Sequence, residues 1–206
     1  MELVDLNFDP AKVATSRQFS RPVARPFPAL PPGTDFSALR GKRLLALVDE
    51  DNLRMALKAY GVRIAYRVFL RHLKAEAQKV SPWVVCTRFE NDDRRDAYLK
   101  GCGWNAVAIA RETVMTVRGP TRKANADMDL CFVAGYLARG GSFDAVLIGS
   151  GDGDLCLSIA RGIKRIPARR EVFTLSVPRS TSHRILCANE PGLFDGNIIV
   201  GRDICK

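Results

Sequence analysis

Asp144-Ala145-Val146-Leu147-Ile148-Gly149-Ser150-Gly151-Asp152-Gly153-Asp154-Leu155 is the stretch that decides the fold. An apolar run of strand length ends in glycines interleaved with a serine and two aspartates, and a helical pattern, Leu155 to Ile163, follows at once. In an open parallel sheet the carboxyl end of a strand is where ligands sit. Gly149, Gly151 and Gly153 are expected to let the chain turn sharply there. Asp152 and Asp154 are expected to face whatever binds.

The same design recurs upstream. Leu44-Leu45-Ala46-Leu47-Val48 is a buried-strand pattern that ends at Asp49-Glu50-Asp51-Asn52, and a short helix runs from Leu53 until Gly61 breaks it. Arg63 to Val80 predicts a longer amphipathic helix, with Tyr66, Phe69, Leu70, Leu73 and Ala77 on its core face. Arg63, Arg67, Arg71 and Lys74 make a basic stripe on another face, a solvated surface or a track for phosphates.

Residues 83–89 and 105–109 read as further strands, with a helix between them capped by Asn91 or Asp92 and ending at Gly101. Residues 111–125 read as a polar connection, long enough to suggest a functional loop. A helix from Asp127 to Leu137, a strand over 171–177, a helix over 183–188 capped by Ser180 or Thr181, and a short strand over 198–200 complete the series. Strands alternate with helices throughout. The expected class is α/β, a three-layer Rossmann-like sandwich around a mostly parallel sheet.

Residues 1–40 differ from the rest. Arg21-Pro-Val-Ala-Arg-Pro-Phe-Pro-Ala-Leu-Pro-Pro-Gly33 is proline-rich and extended, a tail or an arm that Phe27 and Leu30 would anchor. The division is thus an extension over 1–40 and a domain over 41–206.

With 32 basic and 22 acidic residues the chain carries a formal charge of +10, which points to a polyanion and first to nucleic acid. The sequence has no apolar run near the ~18 residues of a membrane span, nor a secretory signal pattern, so the expectation is cytoplasmic. Six cysteines without a CxxC read as free thiols.

Asp49, Asp127 (or Asp129), Asp152 and Asp154 stand at strand or helix ends. If the strands are neighbours, these acids share one pocket. Two carboxylates ~4 Å apart repel by about 4 kcal/mol at an effective dielectric of ~20, so the set calls for a cation. Hard oxygen donors select Mg²⁺ or Mn²⁺, and such ions promote in-line attack on phosphodiesters. Neither His72 nor His183 has triad or metal spacing, and no GxxxxGK[ST] loop occurs.

These residues resemble a known family. Asp49-Glu50-Asp51-Asn52 looks like the D-x-x-N signature of NYN domains, a branch of the PIN-like nucleases. Lys123 to Leu130 is similar to the family's basic residue and acidic helix start. Ser150-Gly151-Asp152-Gly153-Asp154-Leu155 resembles its S-G-D-x-D-F motif, with Leu for Phe, and Pro178 to Leu186 its late strand-to-helix turn. The resemblance spans roughly residues 42–199 and implies a divalent-metal ribonuclease on a PIN-like sheet. It implies Asp49, Asp127, Asp152 and Asp154 as metal holders and Asn52 as an orienting group. Ser150 would brace the loop, and Ser150, Ser182, Lys123, Arg122 and Arg118 would lie on the substrate side. An aspartate common in relatives falls near Val133 here. The expected partner is RNA. Its choice then falls to the domain, the amino-terminal arm, a second copy of the chain or another protein. Two other readings use the same features: a nucleic-acid-binding module with a degenerate metal site, and a small-molecule phosphohydrolase or nucleotide-binding enzyme that uses the same acidic pocket.

Overall fold

A computed structural model describes residues 28–88, 93–110, 112–116, 119–123, 126–187 and 191–206, with the backbone alone for 112–116 and 120–123. Six strands form one all-parallel sheet: β1 (Arg43–Asp49), β2 (Lys79–Arg88), β3 (Asn105–Ala110), β6 (Ala145–Gly149), β7 (Glu171–Ser176) and β8 (Gly196–Ile199). Their order is β3-β2-β1-β6-β7-β8, the doubly wound order of a Rossmann-like sheet. Helices α1 (Glu50–Lys58), α2 (Tyr66–Glu76) and α3 (Arg94–Gly101) cover one face; α4 (Ala126–Gly140), α5 (Gly153–Lys164) and α6 (His183–Leu186) cover the other.

The continuous apolar strands follow from this layering. A period-2 backbone sends Leu44, Ala46 and Val48 into the core under α1 and α2, and Leu45 and Leu47 into the core under α4 and α5. Neither face meets water, so every position must be apolar.

Four expectations change. The helix expected over 63–80 is α2 alone, because Lys79 and Val80 already pair with Arg43 and Leu44 of β1, and Ile64 bridges Cys205. Sheet pairing overrides the helical pattern at that end. The expected loop over 111–125 contains an antiparallel hairpin, β4 (Glu112–Thr116) and β5 (Gly119–Lys123). The cap of α6 is Ser182, whose hydroxyl accepts from the Arg184 N–H.

The last change concerns the boundary at residue 41. Leu30, Phe36 and Leu39 are buried in the α1–α2 core, and Pro31 O accepts from Arg202 N at 2.8 Å. Thr34 N and Oγ1 both donate to Asp203 Oδ1. Residues 28–40 therefore belong to the domain; Phe27 and residues 1–26 lie outside the described residues. Among the described residues no helix is long and apolar enough to cross a membrane.

Candidate metal centre

The strand order reverses between β1 and β6, so the chain leaves β1 for α1 on one face and β6 for α5 on the other. The two departing turns leave a crevice between them, where ligands sit in open α/β sheets. It measures about 420 Å³ and is lined by Asp49, Asp51, Asn52, Asp127, Asp152 and Ser180, among others.

Asp49 and Asp152 arrive there by one device. Asp49 is the last residue of β1 and Asp152 stands three residues past the end of β6, and each caps the next helix. Asp49 Oδ1 accepts from Asn52 N at 3.0 Å, and Asp152 Oδ1 accepts from Asp154 N at 2.8 Å and Leu155 N at 3.2 Å. Asn52 ties the turns together, since Gly151 N donates to its Oδ1 at 2.8 Å. Ser150 is fully buried; its hydroxyl donates to Asp49 Oδ2 at 3.4 Å and accepts from Asp152 N at 3.2 Å. It braces the loop, and its burial removes it from the substrate side.

Gly151 and Gly153 serve close approach. Neither has a positive φ. A Cβ at Gly151 would stand 2.4 Å from Ser180 O, and one at Gly153 2.4 Å from Ser182 Oγ. Ser182 N also donates to Gly151 O at 2.9 Å. Ser182 is thus a packing and capping residue that seats the turn before α6 on the Gly151–Gly153 loop. Its neighbour Ser180 lines the crevice in its place.

The electrostatics mark the crevice. Asp49 is 6% exposed, and burial pushes its carboxyl up to about 6; the charges of Asp127 and Asp51 push the same way, against the hydrogen bond from Asn52 N. Asp127, from the first turn of α4, is also raised, by burial and then by the charge of Asp152. Asp49, Asp127 and Asp152 thus share one field.

Two acids depart from expectation. Asp154 is 79% exposed and forms an ion pair with Arg184; it is turned away from the crevice. It occupies the second position of α5, where the helix directs it outward. Asp51, hidden in the middle of the D-x-x-N signature, lines the crevice instead. Its Oδ2 accepts from Thr87 N at 2.8 Å, and its Oδ1 meets Arg54 at 2.5 Å and Arg95 at 3.4 Å. Glu50 beside it is buried and paired with Arg95. Asp51 therefore fixes α1 to the end of β2. The signal that finds it is its adjacency to a buried strand end, which neighbouring charges hide. Arg118 and the side chains of Arg122 and Lys123 lie outside the described residues.

The donors suit a hard divalent cation, and the raised Asp49 and Asp127 carboxyls are what a positive charge would relieve. Among the described residues, however, no three Asp, Glu, His or Cys side chains are gathered closely enough to hold a metal ion. The three carboxylates line one crevice without closing on one point.

No family model matches the chain, and no curated protein matches it. Among solved structures, a protein of unknown function from Vibrio parahaemolyticus RIMD 2210633 is similar, with a TM-score of 0.62. The two are 23% identical over 81% of this chain and 98% of the other. Identity that low carries the fold alone, and the fold it carries is the Rossmann-like α/β sandwich described above.

Proposed function

We propose that the chain is a divalent-metal-dependent ribonuclease of the NYN, PIN-like kind. The observation that supports this reading is that Asp49, Asp127 and Asp152 line one crevice where the sheet order reverses. A bound Mg²⁺ or Mn²⁺ supplies charge stabilisation for in-line displacement at a phosphodiester and lowers the pKa of water.

The chain's own residues do the rest. Asp49, Asp127 and Asp152 would hold the ion by drawing together across the crevice they line. Asp49 is held rigidly by its cap to Asn52 N, so its second oxygen keeps a fixed direction. Asn52 and Ser150 keep the β1 and β6 turns in register, which fixes the spacing of Asp49 and Asp152. Asp51 holds α1 against β2 and leaves the crevice floor in place. The formal charge of +10 favours a polyanionic strand, and Lys123 and Arg122, on β5 just before α4, are the candidates to meet its phosphates.

The test is cleavage of single-stranded RNA in Mn²⁺. Activity lost to EDTA and in Asp152→Asn supports the enzyme. The ion pair of Asp154 with Arg184 and the open spacing of the other acids favour a second reading, an RNA-binding module with a degenerate metal site. RNA binding indifferent to EDTA and to Asp152→Asn, with no cleavage, would establish it.

A further inference from the structure

Helix α4 is apolar on both sides. Leu130, Ala134 and Ala138, four residues apart, are buried against the sheet. On the opposite side Met128, Phe132 and Tyr136, also four apart, are 65%, 74% and 73% exposed. They are three of the six large apolar side chains exposed among the described residues. The rings of Phe132 and Tyr136 stack with each other, 6.4 Å apart and 12° from parallel. A contiguous apolar stripe of this kind marks an interaction surface.

Beside the stripe lies a hole. A groove of about 400 Å³ runs between α4 and α5 and is floored by small residues, Ala134, Gly135, Ser158 and Gly162. A Cβ added at Gly135 or Gly162 would touch nothing within 4 Å, so the floor is open. Arg139 and Arg165 border it.

We propose that this face is the two-fold interface of a homodimer. An isologous contact requires one surface that complements itself, and this one carries both knobs and hole. Antiparallel α4 helices crossing at the level of Ala134 set Phe132 against the second copy's Tyr136, and the reverse. The same register brings Asp129 level with the second copy's Arg139, opposite in charge, and opposes the two helix dipoles. A face with Asp129 at one end of the helix and Arg139 at the other, beside Arg165, offers opposite charges to a second copy of itself. Phe132 and Tyr136 would bury roughly 300 Å² per copy. A standard interface needs about 800 Å² per partner, so the α5 side of the groove must also be covered. This inference is independent of the ribonuclease reading.

Sedimentation equilibrium of the full chain tests it. The expected result is a concentration-dependent dimer that Phe132→Ser combined with Tyr136→Glu converts to monomer, with a thermal midpoint equal to that of the wild type at a dilution where it too is monomeric, because both side chains are exposed in the single chain. Arg139→Glu alone should weaken the dimer about tenfold, and adding Asp129→Lys should restore it. That rescue reads the register and does not depend on the first variant folding. A chain that stays monomeric up to about 0.1 mM overturns the proposal. So does a dimer that survives the Phe132 and Tyr136 changes, or an Arg139→Glu defect that Asp129→Lys does not mend. If the wild type is monomeric and the double variant loses RNA affinity, the face belongs to nucleic acid.

Discussion

At the edge of the sheet where its strands begin, acids meet bases. Arg43 forks onto Asp144 at 2.6 and 2.9 Å, Lys42 pairs with Glu171, and Lys164 holds Asp195 at 2.7 Å. At the edge where the strands end, Asp49, Asp127 and Asp152 line a crevice, and among the described residues none of them has an ion-pair partner. The consequences are opposite. The Arg43 guanidinium holds the Asp144 carboxyl well below the usual carboxylate range, whereas burial and neighbouring acids hold Asp49 above it. One edge closes its electrostatics internally and serves stability. The other leaves negative charge that no basic side chain among the described residues pairs.

The sharpest way to break this contrast is at Asp49. Asp49→Asn should lower Mn²⁺-dependent RNA cleavage by about a hundredfold or more, since one holder of the ion is gone. Cleavage assays at saturating Mn²⁺ decide it, and near-wild-type turnover would remove Asp49 from the site.

The same substitution should stabilise the metal-free protein at pH 7. The sign follows from linkage. With a folded-state pKa of about 6, Asp49 stabilises the fold when protonated, below its unfolded value, and that contribution is lost as pH rises through 6. Asparagine keeps the cap and carries no charge. The gain at pH 7 should be about 1–3 kcal/mol by denaturant titration and should vanish near pH 4. A destabilised variant at pH 7 would mean that the carboxylate is a structural partner.

Asp144→Asn is the mirror experiment. Here the folded pKa is depressed, so the contribution is present above the unfolded value and lost as pH falls. The variant should melt lower than wild type at pH 7, and the deficit should shrink in acid. Partly exposed pairs contribute modestly, so the shift will be small.

Mn²⁺ itself should raise the wild-type melting temperature by mass action and have little effect on the Asp49→Asn variant. An equal shift in both proteins would place the ion elsewhere. Asp154→Asn is expected to have the smallest effect on cleavage, because that side chain faces Arg184 and solvent. A loss as deep as that of Asp49→Asn would return Asp154 to the crevice.

Much of this was legible in the chain because it depends on nearest neighbours in sequence. A buried parallel strand must be apolar at every position, so β1 and β6 stand out, and an acid just past such a strand has few places to go. The hairpin β4–β5 was not legible: its strands are five residues each and one contains Pro120, which argues against strand. The start of β2 was hidden inside a helical pattern, since Lys79 and Val80 choose strand only when β1 is beside them.

The sequence by itself determined the alternation of strands and helices and the placing of Asp49 and Asp152 at strand ends, because local periodicity and helix capping act over a few residues. Tertiary structure alone decided that β1 and β6 are neighbours, and so that those two acids share a crevice. It also decided that Asp154 turns outward while Asp51 turns in, that residues 28–40 pack on the domain, and that one side of α4 is left bare. Each of those outcomes depends on groups far apart in the chain, whose mutual burial and charge exist only once the sheet has assembled.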